Sequence, residues 1–128
     1  MIKNAKITST DVSVPQKVYT SSVTGEPVGA GGSPPIGQVN AITTMILCNT
    51  GTPTITDESV NTCLVSLYLV NAGESPDTDN LIVSKLIVPA GETVFFSDEK
   101  IILDSGDEIW VGTDTANLIT VTVSTLPV

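Results

Sequence analysis

Carboxylates are the side chains of this sequence that come closest to a catalytic arrangement. Asp104 and Asp107 stand three positions apart, and paired carboxylates carry out acid–base chemistry in glycosidases. Gly106 lies between them, and Asp with Gly at this spacing is typical of a tight turn. The pattern therefore favours a turn over a catalytic pair. The same interpretation applies to Asp57–Glu58 and Asp98–Glu99, which are predicted to be exposed turn charges.

The sequence contains no histidine and no arginine. Histidine is the side chain best suited to general base catalysis at neutral pH and is the commonest metal ligand. Serine and threonine are abundant, but none has a convincing base to activate it as a nucleophile. We therefore expect no catalytic residue, no metal site and no cofactor, and we predict that the protein is not an enzyme.

One acidic segment has the oxygen ligands that calcium prefers. Between Asn71 and Asn80 the chain carries Glu74, Asp77 and Asp79. The segment lacks the spacing and the bidentate glutamate of an EF-hand loop. A solvated acidic loop is therefore favoured over a calcium site.

The two cysteines, Cys48 and Cys63, both lie in apolar runs. Buried free thiols are the favoured interpretation, since cysteine packs well as a small apolar residue and no secretory context is visible. A disulfide is the alternative if the two runs pair as neighbouring strands. Two thiols without histidine supply too few ligands for a zinc site.

The charge balance excludes some classes of partner. Fourteen acidic residues face five lysines, which gives a formal net charge of −9. Nucleic-acid binding needs clustered lysine and arginine to neutralise phosphates, so neither nucleic acid nor an anionic membrane is an expected partner. No run approaches the roughly 18 apolar residues of a membrane span, and the first residues lack the apolar core of a signal peptide.

Composition favours β-structure. The chain of 128 residues contains 16 Val, 12 Ile and 18 Thr, whereas aromatic residues make up only 4%. β-branched side chains fit pleated sheets better than helices, and this length corresponds to one domain, here residues 1–128. Since 41% of the residues are hydrophobic, we also expect the protein to cover part of its surface as a homo-oligomer or with a stable partner; the alternative is a monomer with a well-filled core.

Short apolar runs separated by turn residues predict an all-β fold. Turn signals occur at regular intervals, for example at Asn49–Gly51, Asn71–Gly73 and Ser105–Asp107. This spacing is typical of an antiparallel β-sandwich, either jelly-roll or Ig-like, with about eight or nine strands. Residues 1–16 could also form an extended N-terminal arm. The predicted strands are 2–10, 17–23, 39–48, 62–70, 81–88, 93–96, 100–103, 108–112 and 118–124.

Alternation predicts the two faces of the strand at 39–48. Ile42 is expected on the same face as Thr44 and Ile46, opposite Met45 and Leu47. Both faces are apolar, so this strand is predicted to be central in its sheet.

Two other strands alternate more clearly. Their apolar positions are predicted to face the core, and these are Val65, Leu67, Leu69, Ile119, Val121 and Val123.

Two features could form an interface. The segment Gly25–Gly37 is too rich in Gly and Pro for a helix or a strand interior, and it could clasp a neighbouring subunit or be a surface loop. Trp110 is predicted to point away from the core. There it could be half-buried under a loop, anchor an oligomer interface, or form a platform for a sugar. The candidate interface residues are Pro27, Val28, Pro34, Pro35, Ile36 and Trp110.

From about Lys17 to its C-terminus the sequence resembles small β-sandwich virion proteins of tailed bacteriophages, including phages of cyanobacteria. The stretches that carry the resemblance are strand-and-turn patterns, and they are Lys17–Ser21, Ala41–Gly51, Val65–Val70, Val88–Thr93 and Ile102–Ile109.

The resemblance implies a structural role without catalysis. Such proteins decorate or cement capsids, which makes a capsid decoration protein the expected function. The alternatives are a neck, tail or fibre component and a receptor- or glycan-binding fibre domain. The implied partners are other virion proteins, such as the major capsid protein or neck and tail components, and the implied location is the virion, after synthesis in the host cytoplasm.

Overall fold

A computed structural model describes residues 1–21, 39–98 and 100–128. These residues form nine β-strands and no helix that could cross a membrane. The strands are β1 (Ile2–Lys6), β2 (Gln16–Thr20), β3 (Asn40–Asn49), β4 (Cys63–Val70), β5 (Leu81–Val88), β6 (Thr93–Phe96), β7 (Ile101–Leu103), β8 (Glu108–Thr113) and β9 (Ile119–Pro127).

The strands form two antiparallel sheets, as the sequence predicts. Sheet A has the order β1-β9-β3-β6, and β7 also pairs with β3; sheet B has the order β2-β8-β4-β5. β6 and β7 pair with successive parts of β3, so together they form one interrupted edge strand. With that edge counted once, the molecule has two four-stranded sheets whose early strands alternate between sheets, which is the arrangement of a jelly roll rather than an Ig fold.

The core lies between the two sheets and is mainly aliphatic. In β9, Ile119, Val121 and Val123 are fully buried and alternate with half-buried polar residues, so the predicted faces of this strand are confirmed. In β4, Val65 and Leu67 are fully buried.

The predicted face of Ile42 in β3 is wrong, whereas the predicted faces from Thr44 to Leu47 are confirmed. Ile42 is buried together with Met45 and Leu47 rather than sharing a face with Thr44 and Ile46. The register of β3 against β9 shifts between Ile42 and Thr44, and an extra residue in one strand moves the following side chains to the other face. β3 is central in sheet A, as predicted.

The first 16 residues contribute to both sheets. Ile2–Lys6 pairs with β9 at the edge of sheet A, and Ile7 enters the core. The chain then crosses to sheet B, where the loop at 8–15 packs on the outward side of β4 and β8: the hydroxyl of Tyr68 donates to the carbonyl oxygen of Val12 (2.8 Å).

Candidate functional site

Asp104 and Asp107 form a turn, as the sequence predicts. The carboxylate of Asp107 accepts hydrogen bonds from the backbone N–H groups of Asp104 (3.0 Å) and Ala72 (3.0 Å). Gly106 has a φ of 95°, a conformation that suits glycine. The carboxylate therefore joins the turns that follow β7 and β4 rather than standing free as an acid or base.

Other carboxylates also cap turns. The Asp57 carboxylate accepts from the N–H (3.0 Å) and hydroxyl (2.6 Å) of Ser59, and these bonds lower its pKa. In the acidic segment after β4, Asp77 accepts from the N–H of Asp79 (2.8 Å). Glu74, Asp77 and Asp79 line a cavity of about 670 Å³, yet no group of three or more Cys, Asp and Glu within the described ranges is placed to hold a metal.

The two cysteines lie in different sheets and are both free thiols. Cys63 is fully buried in β4 of sheet B. Cys48 is half-buried in β3 of sheet A, where it alternates with the inward side chains of Leu47 and Asn49. Because their strands belong to different sheets, the two sulfurs do not face each other as a cross-strand pair.

Burial raises the pKa of the Cys63 thiol from 9.0 to about 11, and a hydrogen bond with Asp114 adds to the rise. The folded-state pKa thus exceeds that of the unfolded chain, so this thiol's contribution to stability is complete below about pH 9 and is lost as the pH rises towards about 11. We expect urea unfolding to show a loss of up to about 2–3 kcal/mol over this window. The loss should shrink in Cys63→Ala and persist in Cys48→Ala; equal pH dependence in both variants would contradict the assignment.

Trp110 lies on the outward side of sheet B, as predicted. Its neighbours Ile109 and Val111 are fully buried, whereas Trp110 is half-buried. Its cross-strand neighbours are Lys17 on β2 and Tyr68 on β4. The ammonium of Lys17 lies 6.0 Å from the centre of the Trp110 ring, a distance at which a cation–π contact is weak.

The environment of Trp110 is polar on one side and covered on the other. Lys17 forms an ion pair with Glu108 (2.9 Å), and the loop at 8–15 covers the neighbouring Tyr68. The indole N–H is buried and has no hydrogen-bond partner among the described residues. The placement agrees with a half-buried tryptophan beside a covering loop, and a role for Trp110 at an interface stays a prediction.

The outward side chains of β1, β9, β3, β6 and β7 form a continuous surface, here called the A face. Residues directly opposite each other in paired strands point to the same side of a sheet. One row across the A face consists of Phe95, Ile46, Thr122 and Asn4. A second row consists of Ile102, Ala41 and Leu126.

The A face exposes several large hydrophobic side chains beside polar ones such as Asn4 and Thr122. Four of its large hydrophobic side chains are more than half exposed, namely Ile2 (68%), Phe95 (63%), Ile102 (62%) and Leu126 (56%). Exposed hydrophobic side chains gathered in one patch indicate an interaction site, whereas scattered ones do not.

Sequence reasoning did not single out the A face as a site. The alternation of β9 places Thr120, Thr122 and Ser124 outward, which the sequence predicts. Joining them to Phe95 and Ile102 requires that β6 and β7 pair with β3, and this pairing leaves no local signal. The run of two adjacent phenylalanines at 95 and 96 is the available hint, since in a strand one of them must face outward.

The predicted loop Gly25–Gly37, with Pro27, Val28, Pro34, Pro35 and Ile36, lies outside the described residues. The nearest described residues on either side of it are held by hydrogen bonds. Ser21 is buried and its hydroxyl donates to the carbonyl oxygen of Leu103 (3.2 Å), while the side-chain amide of Asn40 donates to that hydroxyl (2.9 Å). The N–H of Val128 donates to the carbonyl oxygen of Val39 (2.9 Å), so Val39 lies beside the last residue of the chain.

A second cavity lies at the opposite end of the sandwich from the base of that loop. It measures about 430 Å³ and lies between the β3–β4 connection and the β5–β6 turn. Pro53, Val60 and Pro89 supply apolar lining and Glu58 and Glu92 supply carboxylates. The neighbouring Ile55 is fully exposed.

No family model and no curated protein sequence matches this chain.

Proposed function

We propose that this chain is a non-enzymatic structural protein of a tailed-bacteriophage virion, made in the host cytoplasm and bound to the particle as a capsid decoration or cement protein. In this proposal it stabilises the particle through contacts with other virion subunits, such as the major capsid protein, and with further copies of itself. It uses no cofactor.

The fold supports the proposal by analogy. Jelly rolls recur in viral capsid proteins, although they also occur in lectins and enzymes, so the fold alone does not decide the function. The chemistry of the chain points in the same direction, since it lacks histidine and the carboxylates of Asp57, Asp77 and Asp107 are engaged in turns.

The A face is the observation that carries the proposal. Protein–protein interfaces are depleted of charge at their centres and enriched in aromatic side chains. Among the described residues, Glu108 is the one acidic residue within a strand, and it belongs to sheet B; the others lie in connections. The strands of the A face therefore offer a surface without carboxylates, with exposed hydrophobic side chains and Lys6 as its charged residue, on an otherwise acidic protein, which suits a role in assembly.

The loop Gly25–Gly37 is the second proposed contact. It carries one charge, Glu26, so it can lie against another acidic subunit with little repulsion. A connection of this length in a sandwich is usually functional or disordered.

Deleting Val28 through Pro35 tests the contribution of the loop. Because Ser21 and Asn40 are left in place, the shortened protein is expected to fold with an unchanged circular dichroism spectrum. We expect its incorporation into particles to fall markedly, as measured by quantitative mass spectrometry of purified virions.

A variant with a loop of unchanged length distinguishes contacts made by the loop's side chains from a role of the loop as a spacer. It replaces Pro27, Val28, Pro34, Pro35 and Ile36 by Gly or Ser. If the loop makes contacts, this variant should be lost from particles as the deletion is; normal incorporation of both folded variants would show that the loop is a spacer.

A further inference from the structure

We infer that the A face is the site at which a second copy of this chain binds, so that two copies stack sheet A against sheet A. The inference rests on the proposed function and deepens it, because it assigns one surface and one occupant to the subunit contacts. It follows from the distribution of charge, the state of the other surfaces and the size of the face.

The distribution of charge favours contact between two copies through the A face over contact through any other surface. With a net charge of −9, two copies repel each other wherever carboxylates meet, and like charges brought together at an interface cost several kcal/mol. On the strands of the A face the ionic side chain is Lys6, opposite Thr120. The acidic residues nearest in sequence among the described ones are Glu92 and Asp98, which flank β6, and Asp104, which follows β7; all three lie in connections. Stacking A faces therefore keeps the carboxylates at the rim, in solvent.

A strongly basic partner would select a different surface. Acidic side chains lie in the connections at both ends of the sandwich, such as Asp77 and Asp104 at one end and Asp57 and Asp114 at the other. Electrostatic steering would bring a basic protein to those ends. The A face, which has no carboxylate on its strands, offers such a partner no advantage, whereas a second acidic copy needs a surface of this kind.

The outward side of sheet B is already occupied in part. The loop at 8–15 packs on it so closely that a Cβ on Gly112 would collide with the backbone carbonyl of Val12. The ion pair of Lys17 with Glu108 (2.9 Å) lies on the same side. Stacking two copies through sheet B would have to accommodate both the loop and the charges.

The edge strands β5 and β1 are poor templates for strand pairing between copies. The edge strand β5 pairs irregularly with β4, and within it Lys85 adopts a φ of 54°. On the edge strand β1, Lys3 is exposed opposite the inward Val123. Bulges and inward lysines are features that prevent edge-to-edge association, so association through the A face is favoured over extension of a sheet.

The size of the A face predicts a weak, reversible contact. Four strand positions about 4.8 Å apart and about seven residue steps of about 3.3 Å give a footprint of roughly 450 Å². Two copies would cover roughly 900 Å², close to the roughly 1,000 Å² expected of a biological interface. Such a pair would form measurably at high protein concentration and would be reinforced by crowding of copies on a particle.

The test is sedimentation equilibrium of the full chain over a concentration series up to the millimolar range. We expect reversible self-association of the natural sequence. Thr122→Glu places a charge in the interior of the A face, and Phe95→Ser removes its exposed aromatic ring; each should raise the dissociation constant about tenfold or more.

Matched controls carry the same changes on sheet B. Ser84→Glu adds the charge at an exposed position of β5, and Ile87→Ser removes a side chain as exposed as Phe95 (63% each). Both should leave the dissociation constant unchanged. Thermal unfolding verifies that each variant folds. If Thr122→Glu does not fold, Phe95→Ser alone tests whether the A face is the site of self-association.

The inference is overturned if the natural chain stays a single copy throughout the series, or if both A-face variants associate as tightly as the controls. This failure is distinguishable from failure of the proposed function. A chain that does not self-associate but is present in purified virions refutes the second copy and keeps the virion role. A chain that pairs through the A face but is absent from virions does the reverse.

Discussion

Replacing Leu67 by alanine is expected to lower the free energy of unfolding by about 2–5 kcal/mol. Leu67 lies in β4, is fully buried, and pairs with Val111 on one side and Val83 on the other. Truncation removes the apolar burial of the side chain and leaves a cavity between two packed sheets, which relax only in part. Urea unfolding followed by circular dichroism measures the change.

Ile87→Ala on the neighbouring β5 is the matched control for Leu67→Ala. Ile87 is 63% exposed, so its truncation should change the free energy of unfolding by no more than about 0.5 kcal/mol. If both variants lost the same stability, Leu67 would not occupy the core position that the structure assigns to it.

Replacing Gly112 by alanine is expected to destabilise the protein by about 1–3 kcal/mol through overpacking. A Cβ at this position would collide with the carbonyl oxygen of Val12 and lie 2.9 Å from its carbonyl carbon. Because both contacts are with backbone, no side-chain rotation relieves them. The loop at 8–15 must move outward, which would break the hydrogen bond from Tyr68 to Val12.

Fluorescence separates loop displacement from general unfolding in the Gly112→Ala variant. Trp110 is the only tryptophan and neighbours Tyr68 in the adjacent strand. We expect its emission to shift to longer wavelength while the β-sheet signal in circular dichroism is retained. Tyr68→Phe, which removes the hydrogen bond without steric conflict, should cost about 1 kcal/mol. Unchanged stability and emission in Gly112→Ala would refute close packing of the loop.

The positions of the strands could be predicted from the sequence because their signals are local. Alternation places Ile119, Val121 and Val123 on one face, and turn residues such as Gly106 mark where strands end. The face of Ile42 could not be predicted, since the shift between Ile42 and Thr44 arises where β3 pairs with β9.

Pairing between distant segments decides which sheet each strand joins. The sheet in turn decides which side chains share a candidate surface. Cys48 and Cys63 looked similar in sequence but belong to different sheets. The outward orientation of Trp110 was predictable from its neighbours in β8, whereas the loop that packs beside it was not. Phe95 joins the A face because β6 pairs with β3. The predicted contact residues of Gly25–Gly37 lie outside the described residues and remain predictions.

A cryo-electron microscopy map of the native virion tests the central claim most directly. Under the proposed function, the particle is that of the phage that would encode this chain. The account predicts density for a small jelly roll bound at regular positions on the capsid, with the A face and the Gly25–Gly37 loop against neighbouring subunits. A complete, well-resolved map in which no density fits this fold would contradict a structural role in the virion.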